Sequence, residues 1–599
     1  MENKKQAIIL SGVAIVALLA LIIGATYAYF RASGNSGSNT DINVTTYTLD
    51  LLSFEMGSDI KINADQTSFA SGKGNATGST FAKAILTANN KTNTATKNYY
   101  MYLNISNNTF TYTQNENTPE LLLTITDVSG NAITSITGLT YKTVIDGKGT
   151  SVSGFDITTK SGLLTLFDNR EITASPTKTE EWNVTVTFVN YNVNQTGNAG
   201  KSFNAKLMIQ QEEYELTLAD ICAGKTLSDC VISQYTGTQG DNALYYHNST
   251  LTNGAGDNSY RYAGGDYVLT EAGKATGATM MIGYNNSVTT ALIDFYCNGT
   301  KQYVGYASSC STSHYYLIKG DTTQYQTYNE ALNASVEKGY LTKDNVKNFV
   351  CFGSDATTCP TENLYRIIGV FNNHVKLIKY DYAKSSLLGT DGDFSQEYTS
   401  NYFSGEQGES PSSNSLYYWN NDTKKNTWSE SNLNKVNLNT NFVNNIGTIW
   451  SNKIATTTWK VGGGTYANLR DAVPKTAYQY EVGSSASTTT YDAKIGLMYV
   501  SDYYYSASPS AWTLVGYNSD YTKSYASAKG ENWLYGGGWD WTISRNSDLS
   551  DGAFAVDRGG SVYDYFVSYG CGVRPSFSLL SSTTYVSGSG SMSDPVRIN

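Results

Sequence analysis

The chain has 599 residues, 15% of them charged, and a formal net charge of −10 at pH 7. This length exceeds what one hydrophobic core supports, so we expect roughly two to four domains. The acidic balance argues against nucleic acid as a partner, because no stretch concentrates enough Lys and Arg to follow a phosphate backbone. Asn, Ser, Thr and Gly supply the surface polarity, together with 48 tyrosines. This mixture is typical of mainly β surface proteins.

The N-terminus has the pattern of an export signal. Lys4 and Lys5 precede an uninterrupted apolar run over residues 7–25, and small residues follow it up to Ala28. This order predicts a secretory signal cleaved after Ala28. The run is longer than most signal cores and almost long enough to span a bilayer as a helix. Residues 1–28 are therefore predicted to be either a signal peptide or a retained membrane anchor, and both place the rest of the chain outside the cell.

Six of the seven cysteines fall in close pairs along the chain. None has CxxC spacing and the three histidines are scattered, which argues against a zinc site. In an oxidising compartment, short local disulfides are the better interpretation, each constraining the unfolded chain by about 2–3 kcal/mol. No metal or other cofactor is predicted. The expected disulfide residues are Cys222, Cys230, Cys297, Cys310, Cys351 and Cys359, which leave Cys571 unpaired.

Residues 40–216 alternate between apolar and polar side chains. Every second residue is apolar from Trp182 to Phe188, and the same period recurs between Phe203 and Ile209. Such alternation predicts half-buried strands, and the turn-forming residues between them predict an antiparallel β-sandwich. Residues 44–52 are predicted to form a further strand.

The remaining chain has mixed signals. Residues 217–360 are predicted to be a linker or the start of a C-terminal domain, with a disulfide-containing insertion at about 266–347. Residues 327–338 predict a short helix that ends at Gly339. Residues 361–599 predict a compact α+β domain with long loops. Its expected elements are a hairpin turning at Asn372 and Asn373, a helix after residue 431, and a buried strand over 495–500.

The N-terminal part resembles a known family. The stretch GATYAYF at residues 24–30, the sandwich pattern and the ending LMIQQE at 207–212 resemble the camelysin-like and matrix-fibre proteins exported by Gram-positive bacteria. The resemblance implies a jelly-roll-like domain behind the signal and the possibility of self-association. It does not carry over protease activity, because no HExxH or comparable ligand set occurs.

The C-terminal part resembles a second family. Residues 541–545, 553–557, 560–562 and 572–575 match the Trp-Arg-Ser, Ala-Phe-Val, Gly-Ser-Val and Gly-Val-Arg-Pro elements of formylglycine-generating-enzyme-like domains, a branch of the C-type lectin superfamily. The resemblance implies a C-type-lectin-like fold that displays loop side chains as a ligand surface. It places Trp539, Trp541, Arg545 and Arg574 in the framework, where a buried arginine needs a carboxylate partner.

The candidate ligand-binding residues are those between these framework elements. Tyrosines, small polar groups and one arginine have the chemistry of an antibody paratope. Solvated loops without a ligand are the alternative for the same residues. The candidates are Asn546, Asp548, Asp551, Arg558, Tyr563, Asp564, Tyr565 and Tyr569.

Catalysis is not expected. Formylglycine-generating enzymes use two cysteines near this core as copper ligands, whereas Cys571 is alone here and has no histidine near it in sequence. A calcium site from Asp548, Asp551 and Asp557 is the other alternative, without the spacing of an EF-hand.

These features together predict an exported cell-surface binding or adhesion protein. Its expected partner is a protein or glycan outside the cell, together with the membrane if the leader is retained, and no nucleic acid. The alternative is a structural component of an extracellular matrix or fibre, without a specific ligand.

Overall fold

The computed structural model describes residues 50–64, 73–89, 93–214, 216–282, 290–302, 310, 313–343, 345–399 and 413–599. The leader and its cleavage site at Ala28 lie outside this range. The chain divides into two compact units, residues 1–216 and 217–599. Both are rich in antiparallel sheets, which confirms the mainly β class. No helix among the described residues is long and apolar enough to cross a membrane.

The described residues of the first unit form ten strands in two antiparallel sheets. A six-stranded sheet has the order β1-β3-β9-β5-β7-β6, and a four-stranded sheet has the order β2-β10-β4-β8. The strands are β1 Leu51–Met56, β2 Ile60–Asn63, β3 Ala76–Thr87, β4 Ala95–Asn108, β5 Leu121–Asp127, β6 Tyr141–Ile145, β7 Ser151–Asp156, β8 Gly162–Ala174, β9 Thr177–Phe188 and β10 Ser202–Gln210.

The two sheets share one hydrophobic core. The predicted alternation is present in β10, where Phe203, Leu207 and Ile209 are buried and their neighbours are less so. A polar bridge also connects the sheets, because Trp182 Nε1 on β9 donates to the hydroxyl of Tyr99 on β4 at 2.9 Å. That hydroxyl donates in turn to Glu180 at 2.6 Å. At this point in the core, the two sheets are therefore joined both by buried aromatic side chains and by a chain of satisfied hydrogen bonds.

The second unit is built around a seven-stranded sheet of order β11-β12-β20-β21-β30-β26, with β19 beside β20, and a three-stranded sheet β27-β28-β29. Smaller sheets are β13-β18, β14-β15-β16 with β17, β22-β23, β24-β25 and β31-β32. The strands are β11 Leu244–Tyr246, β12 Tyr260–Tyr262, β13 Tyr267–Leu269, β14 Met280–Ile282, β15 Ala291–Cys297, β16 Thr300–Gln302, β17 His314–Ile318, β18 Leu341–Lys343, β19 Phe349–Cys351, β20 Leu364–Phe371, β21 His374–Lys379, β22 Phe394–Thr399, β23 Ser413–Tyr417, β24 Thr457–Lys460, β25 Thr490–Ala493, β26 Ile495–Gly496, β27 Asp540–Arg545, β28 Gly552–Val556, β29 Val562–Phe566, β30 Ser576–Ser578, β31 Tyr585–Ser587 and β32 Arg597–Ile598.

The helices among the described residues are short. The α-helices are α1 Leu218–Cys222, α2 Leu227–Ser233, α3 Glu271–Ala275, α4 Tyr328–Glu337, α5 Ser385–Leu388, α6 Val443–Asn445, α7 Thr448–Ser451, α8 Pro474–Glu481 and α9 Val500–Tyr505. Two segments, Leu433–Phe442 and Tyr466–Arg470, are π-helical. Single 3₁₀ turns occupy Thr196–Asn198, Asp241–Ala243, Thr361–Asn363, Pro509–Thr513, Tyr521–Lys523, Tyr525–Ser527 and Lys529–Glu531.

Of the two alternatives for residues 217–360, the structure favours the start of the C-terminal domain over a linker, because the second unit begins at residue 217. Strands β11, β12 and β19 belong to the seven-stranded sheet, so residues on both sides of the predicted boundary at 361 share one core. Residues 267–343 form a lobe with its own hydrophobic cluster, within the predicted insertion at 266–347. Its two ends pair as β13 and β18, where Tyr267 lies opposite Lys343.

Several local predictions for this unit are confirmed, and one is confirmed only in part. The hairpin β20-β21 turns at Asn372 and Asn373, both with positive φ. Helix α4 begins with a capping box between Thr327 and Glu330. The predicted buried strand over 495–500 is confirmed only at its start, because β26 ends at Gly496 and helix α9 starts at Val500. Trp459 crowds Gly496, where a Cβ would lie 2.8 Å from the indole ring.

The three expected disulfides are present, Cys222–Cys230, Cys297–Cys310 and Cys351–Cys359. Each closes a loop of 8 to 13 residues. Cys571 remains a free, buried thiol.

One buried histidine predicts a pH-dependent stability. His247 is fully buried, its Nδ1 accepts from the Ala255 amide at 3.1 Å, and its ring packs on Tyr505. Burial, with a smaller contribution from the charge of Arg261, holds the pKa of His247 well below its usual value of 6.5. Below pH 6.5 the unfolded chain therefore binds a proton that the folded chain does not. We expect this residue to lower the free energy of unfolding by up to about 1.4 kcal/mol per pH unit as the pH falls further.

Urea unfolding followed by tryptophan fluorescence at several pH values measures this effect. Substitution His247→Phe is expected to flatten the pH dependence relative to the wild type. The same substitution at the exposed His314 serves as the matched control and should leave the dependence unchanged. Equal slopes for His247→Phe and the wild type would contradict the assignment.

Candidate functional site

The predicted ligand-binding residues surround the three-stranded sheet β27-β28-β29. Among the strands that the structure describes, β29 pairs with β28 alone, with Tyr563 opposite Ala555 and Tyr565 opposite Ala553. The preceding strand ends at Arg545, and the loop to β28 carries Asn546, Asp548 and Asp551. The eight candidates are therefore close in the fold, but their side chains have different roles.

Asn546 and Asp564 stabilise the protein rather than offer free contacts. Asn546 is 0% exposed, so its side chain is not available to a ligand, which corrects its prediction as a contact residue. Its Nδ2 donates to Asp564 Oδ2 at 3.3 Å, and its Oδ1 accepts from the Asp548 amide at 3.0 Å. Asp564 Oδ1 accepts from the Tyr466 hydroxyl. Burial and this bond to a carboxylate raise the pKa of Tyr466.

The other candidates differ in exposure. Asp548 is exposed, Asp551 and Arg558 are half-buried, and Tyr569 is 52% exposed. The Asp551 carbonyl accepts from the Val567 amide, and the Arg558 carbonyl accepts from the Tyr535 hydroxyl, so both backbones are held in place. The calcium alternative gains no support, because in the described part of the chain no three His, Cys, Asp or Glu side chains converge. Asp557 instead accepts from the amides of Gly559 and Ser561 in its own turn.

Tyr563 and Tyr565 lie at the centre of a row of aromatic side chains, which we call the tyrosine surface. Tyr517 meets Tyr563 edge to face at 5.3 Å between ring centroids, and Tyr563 lies 6.0 Å from Tyr565. Trp539 continues the row, edge to face on Tyr565 at 4.3 Å. The tyrosine surface is defined as Tyr466, Arg470, Tyr517, Trp539, Tyr563 and Tyr565.

Arg470 supplies the positive charge of this surface. Its guanidinium lies 4.0 Å from the Tyr466 ring centroid and 5.2 Å from that of Tyr563. Asp471 holds it through two hydrogen bonds of 2.7 and 3.0 Å. A cation stacked on aromatic faces and fixed by a carboxylate has few conformations left to lose on binding.

A groove of about 460 Å³ runs beside the Trp539 end of the tyrosine surface. Tyr565 and Trp539 form one part of its wall, and Tyr569 and Tyr418 form another. Cys571 lies in the lining, but its thiol is buried, and burial raises its pKa well above the usual value. The sulfur is therefore protonated at neutral pH, a poor state for nucleophilic chemistry.

The structure agrees with the framework prediction for Trp541, Arg545 and Arg574, whereas Trp539 needs correction. Arg545 is half-buried, and its Nε donates to the Gly462 carbonyl at 2.9 Å. Trp541 is buried, and Arg574 has the carboxylate partner that its burial requires, Asp540, at 2.5 Å. Trp539 is only partly buried and belongs to the tyrosine surface. Sequence reasoning also missed Tyr466, Arg470 and Tyr517, which are brought to β29 from positions 46 to 97 residues away. Among 48 tyrosines, nothing local distinguishes these.

Comparison of the chain with protein-family models, with curated proteins and with solved structures yields no match. The geometry of the site therefore carries the functional argument.

Proposed function

We propose that this chain is an exported cell-surface protein that binds a protein or glycan through its tyrosine surface. The observation that carries the proposal is the row of partly exposed rings on β29, with Arg470 stacked beside it. Tyr, Trp and Arg are the residue types that contribute most to binding energy at interfaces. Export is supported by the apolar leader and by the three disulfides, which persist in oxidising compartments.

The proposal includes a finer description of the two units. The first is a jelly-roll-like sandwich of the camelysin type, supported by two antiparallel sheets that share a core. The second is a C-type-lectin-like domain, supported by the antiparallel sheet β27-β28-β29, by the buried Trp541 on β27 and by the buried pair of Arg574 with Asp540.

The tyrosine surface is suited to binding because it is already ordered. Tyr517 packs edge to face on Tyr563 and Trp539 does so on Tyr565, which is a favourable aromatic geometry. A tyrosine has few rotatable bonds, so a large contact area forms at low entropic cost. The groove beside Trp539 adds a concave wall, as ligand sites commonly have.

Removing the central rings tests the proposal. We expect Tyr563→Ala combined with Tyr565→Ala to weaken saturable binding at least tenfold, since losing central aromatic contacts costs about 2 kcal/mol or more. The probes are a glycan array and an array of extracellular proteins, with affinities then measured by surface plasmon resonance. Tyr480, which is 38% exposed and outside the tyrosine surface, provides the matched control Tyr480→Ala.

The alternative, a structural matrix or fibre component, predicts different results. In that case the purified chain would form filaments, and neither array would give saturable binding. Retained affinity in the Tyr563/Tyr565 double variant would show that the ligand binds elsewhere.

A further inference from the structure

A buried lysine and aspartate contact each other inside the second unit. Lys376 on β21 and Asp502 on helix α9 are 7% and 3% exposed. Lys376 Nζ lies 2.5 Å from Asp502 Oδ2, shorter than a usual ammonium–carboxylate hydrogen bond. The two residues are 126 positions apart in the chain. Any bond between them would tie the central sheet to a distant helix.

The surroundings of this pair are aromatic. Lys376 Nζ lies 4.7 Å from the ring centroid of Tyr499, 5.3 Å from that of Trp459 and 5.9 Å from that of Phe371. Among the described residues, Asp502 is the hydrogen-bond acceptor of the ammonium group. Such a site solvates the two charges poorly.

Asp502 is held in position from the other side. Its Oδ2 also accepts from the Tyr499 amide at 2.9 Å, which caps the start of α9. Glu481 accepts from the next two amides, Val500 at 2.9 Å and Ser501 at 2.8 Å. Burial raises the pKa of Glu481 to about 7, against the effect of its hydrogen bonds. Glu481 is thus a second buried carboxyl group at this helix end.

We propose that Lys376 and Asp502 form an intramolecular isopeptide bond. The ammonium group transfers one proton to the carboxylate, and the free amine attacks Cγ of Asp502. The Nζ–Cγ bond forms, a Cγ–O bond breaks, and one water leaves, with its oxygen from Asp502 and its second hydrogen from Nζ. No oxidant or reductant is required. Folding already holds the two groups in contact, so the reaction has no further entropic cost for bringing them together.

A cavity of about 290 Å³ adjoins the pair and is lined by both residues, together with Trp459 and Tyr499. It offers the released water a way out. The amide that remains is neutral, so the bond also removes two buried charges.

Mass spectrometry of the full-length chain decides the question. After reduction of the disulfides, the protein is expected to be lighter than its sequence mass by one water, about 18 Da. Trypsin should fail to cleave after Lys376, and residues 367–379 and 495–523 should be recovered as one branched peptide. Recovery of two separate peptides, with cleavage at Lys376, overturns the proposal.

Two variants distinguish this bond from other dehydrations. Lys376→Arg keeps the charge without a nucleophilic amine, so it is expected to retain its full mass and give separate peptides. Asp502→Asn should form the same amide by releasing ammonia, with a loss of about 17 Da instead of 18. A water loss that persists in Lys376→Arg would assign the dehydration to another residue and refute the Lys376–Asp502 bond. The wild-type peptide map stands even if a variant fails to fold, and its outcome is independent of ligand binding.

Discussion

Replacing Asp540 with Ala is expected to lower the free energy of unfolding of the second unit by about 3–5 kcal/mol, because it leaves a buried guanidinium without its counter-charge. Arg574 Nε donates to Asp540 Oδ2 at 2.5 Å, and another guanidinium nitrogen donates to the Leu534 carbonyl at 2.7 Å. Both side chains are almost completely buried. Urea unfolding monitored by tryptophan fluorescence measures the loss.

Two further variants test whether this loss of stability comes from the unpaired buried charge. The double variant Asp540→Leu with Arg574→Met is expected to be much more stable than Asp540→Ala, since it removes both buried charges together. The exposed pair Lys523–Asp520, at 3.2 Å, is the surface control, and Asp520→Ala should lower the free energy of unfolding far less than Asp540→Ala does. If Asp540→Ala and Asp520→Ala had similar effects, the buried pair would not have the proposed structural role.

Gly463→Ala is expected to destabilise the second unit by about 2–5 kcal/mol, the sum of a left-handed backbone penalty and overpacking. Gly463 has φ +63°, and an added Cβ would lie 2.0 Å from the Arg545 carbonyl oxygen. Backbone, rather than a flexible side chain, occupies that space. Gly447 is the matched control, because it has φ +79° with open space around it, so Gly447→Ala should cost only about 1–2 kcal/mol.

The same substitution should also weaken ligand binding. Gly463 precedes the π-helical segment Tyr466–Arg470, which contributes two residues to the tyrosine surface. Displacing the strand end at Arg545 shifts this segment relative to β29. Urea unfolding measures the loss of stability, and surface plasmon resonance on the folded fraction measures the loss of affinity, so the two effects can be separated. Wild-type stability in Gly463→Ala would show that the backbone relaxes there.

Sequence patterns correctly predicted the elements whose geometry depends on residues close together in the chain. The turn at Asn372 and Asn373 needs two residues that tolerate positive φ, and asparagine does so. The capping box of Thr327 and Glu330 satisfies backbone amides within one turn of helix. Alternation along β9 reports burial on one face of a sheet.

The predictions fail where residues distant in the sequence determine the local structure or the burial of a side chain. The apolar run at 495–500 has the composition of a buried strand, but Glu481 and Asp502 cap a helix that begins inside it. A short apolar run alone does not distinguish strand from helix. Similarly, Asn546 had the chemistry of a contact residue, and its burial depends on Asn426, whose side chain donates to its carbonyl at 2.7 Å.

The candidate site was predicted in part for the same reason. Tyr563 and Tyr565 alternate on one short strand, and this is visible in the sequence. Tyr517 and Arg470 reach that strand through long irregular loops, whose path depends on tertiary packing. The family resemblance predicted where this sheet lies in the sequence, whereas the residues that contact it from distant loops became known only from the folded structure.

The antiparallel pairing of Tyr267 with Lys343 means that the polypeptide leaves the main body and returns to it at adjacent points. The small lobe between them, cross-linked by Cys297–Cys310, is therefore a side branch rather than a link in the central architecture. A tight turn joining those two positions would preserve the connectivity of every strand in the seven-stranded sheet. Gain, loss or exchange of this branch is thus open to evolution and to protein engineering without refolding the rest.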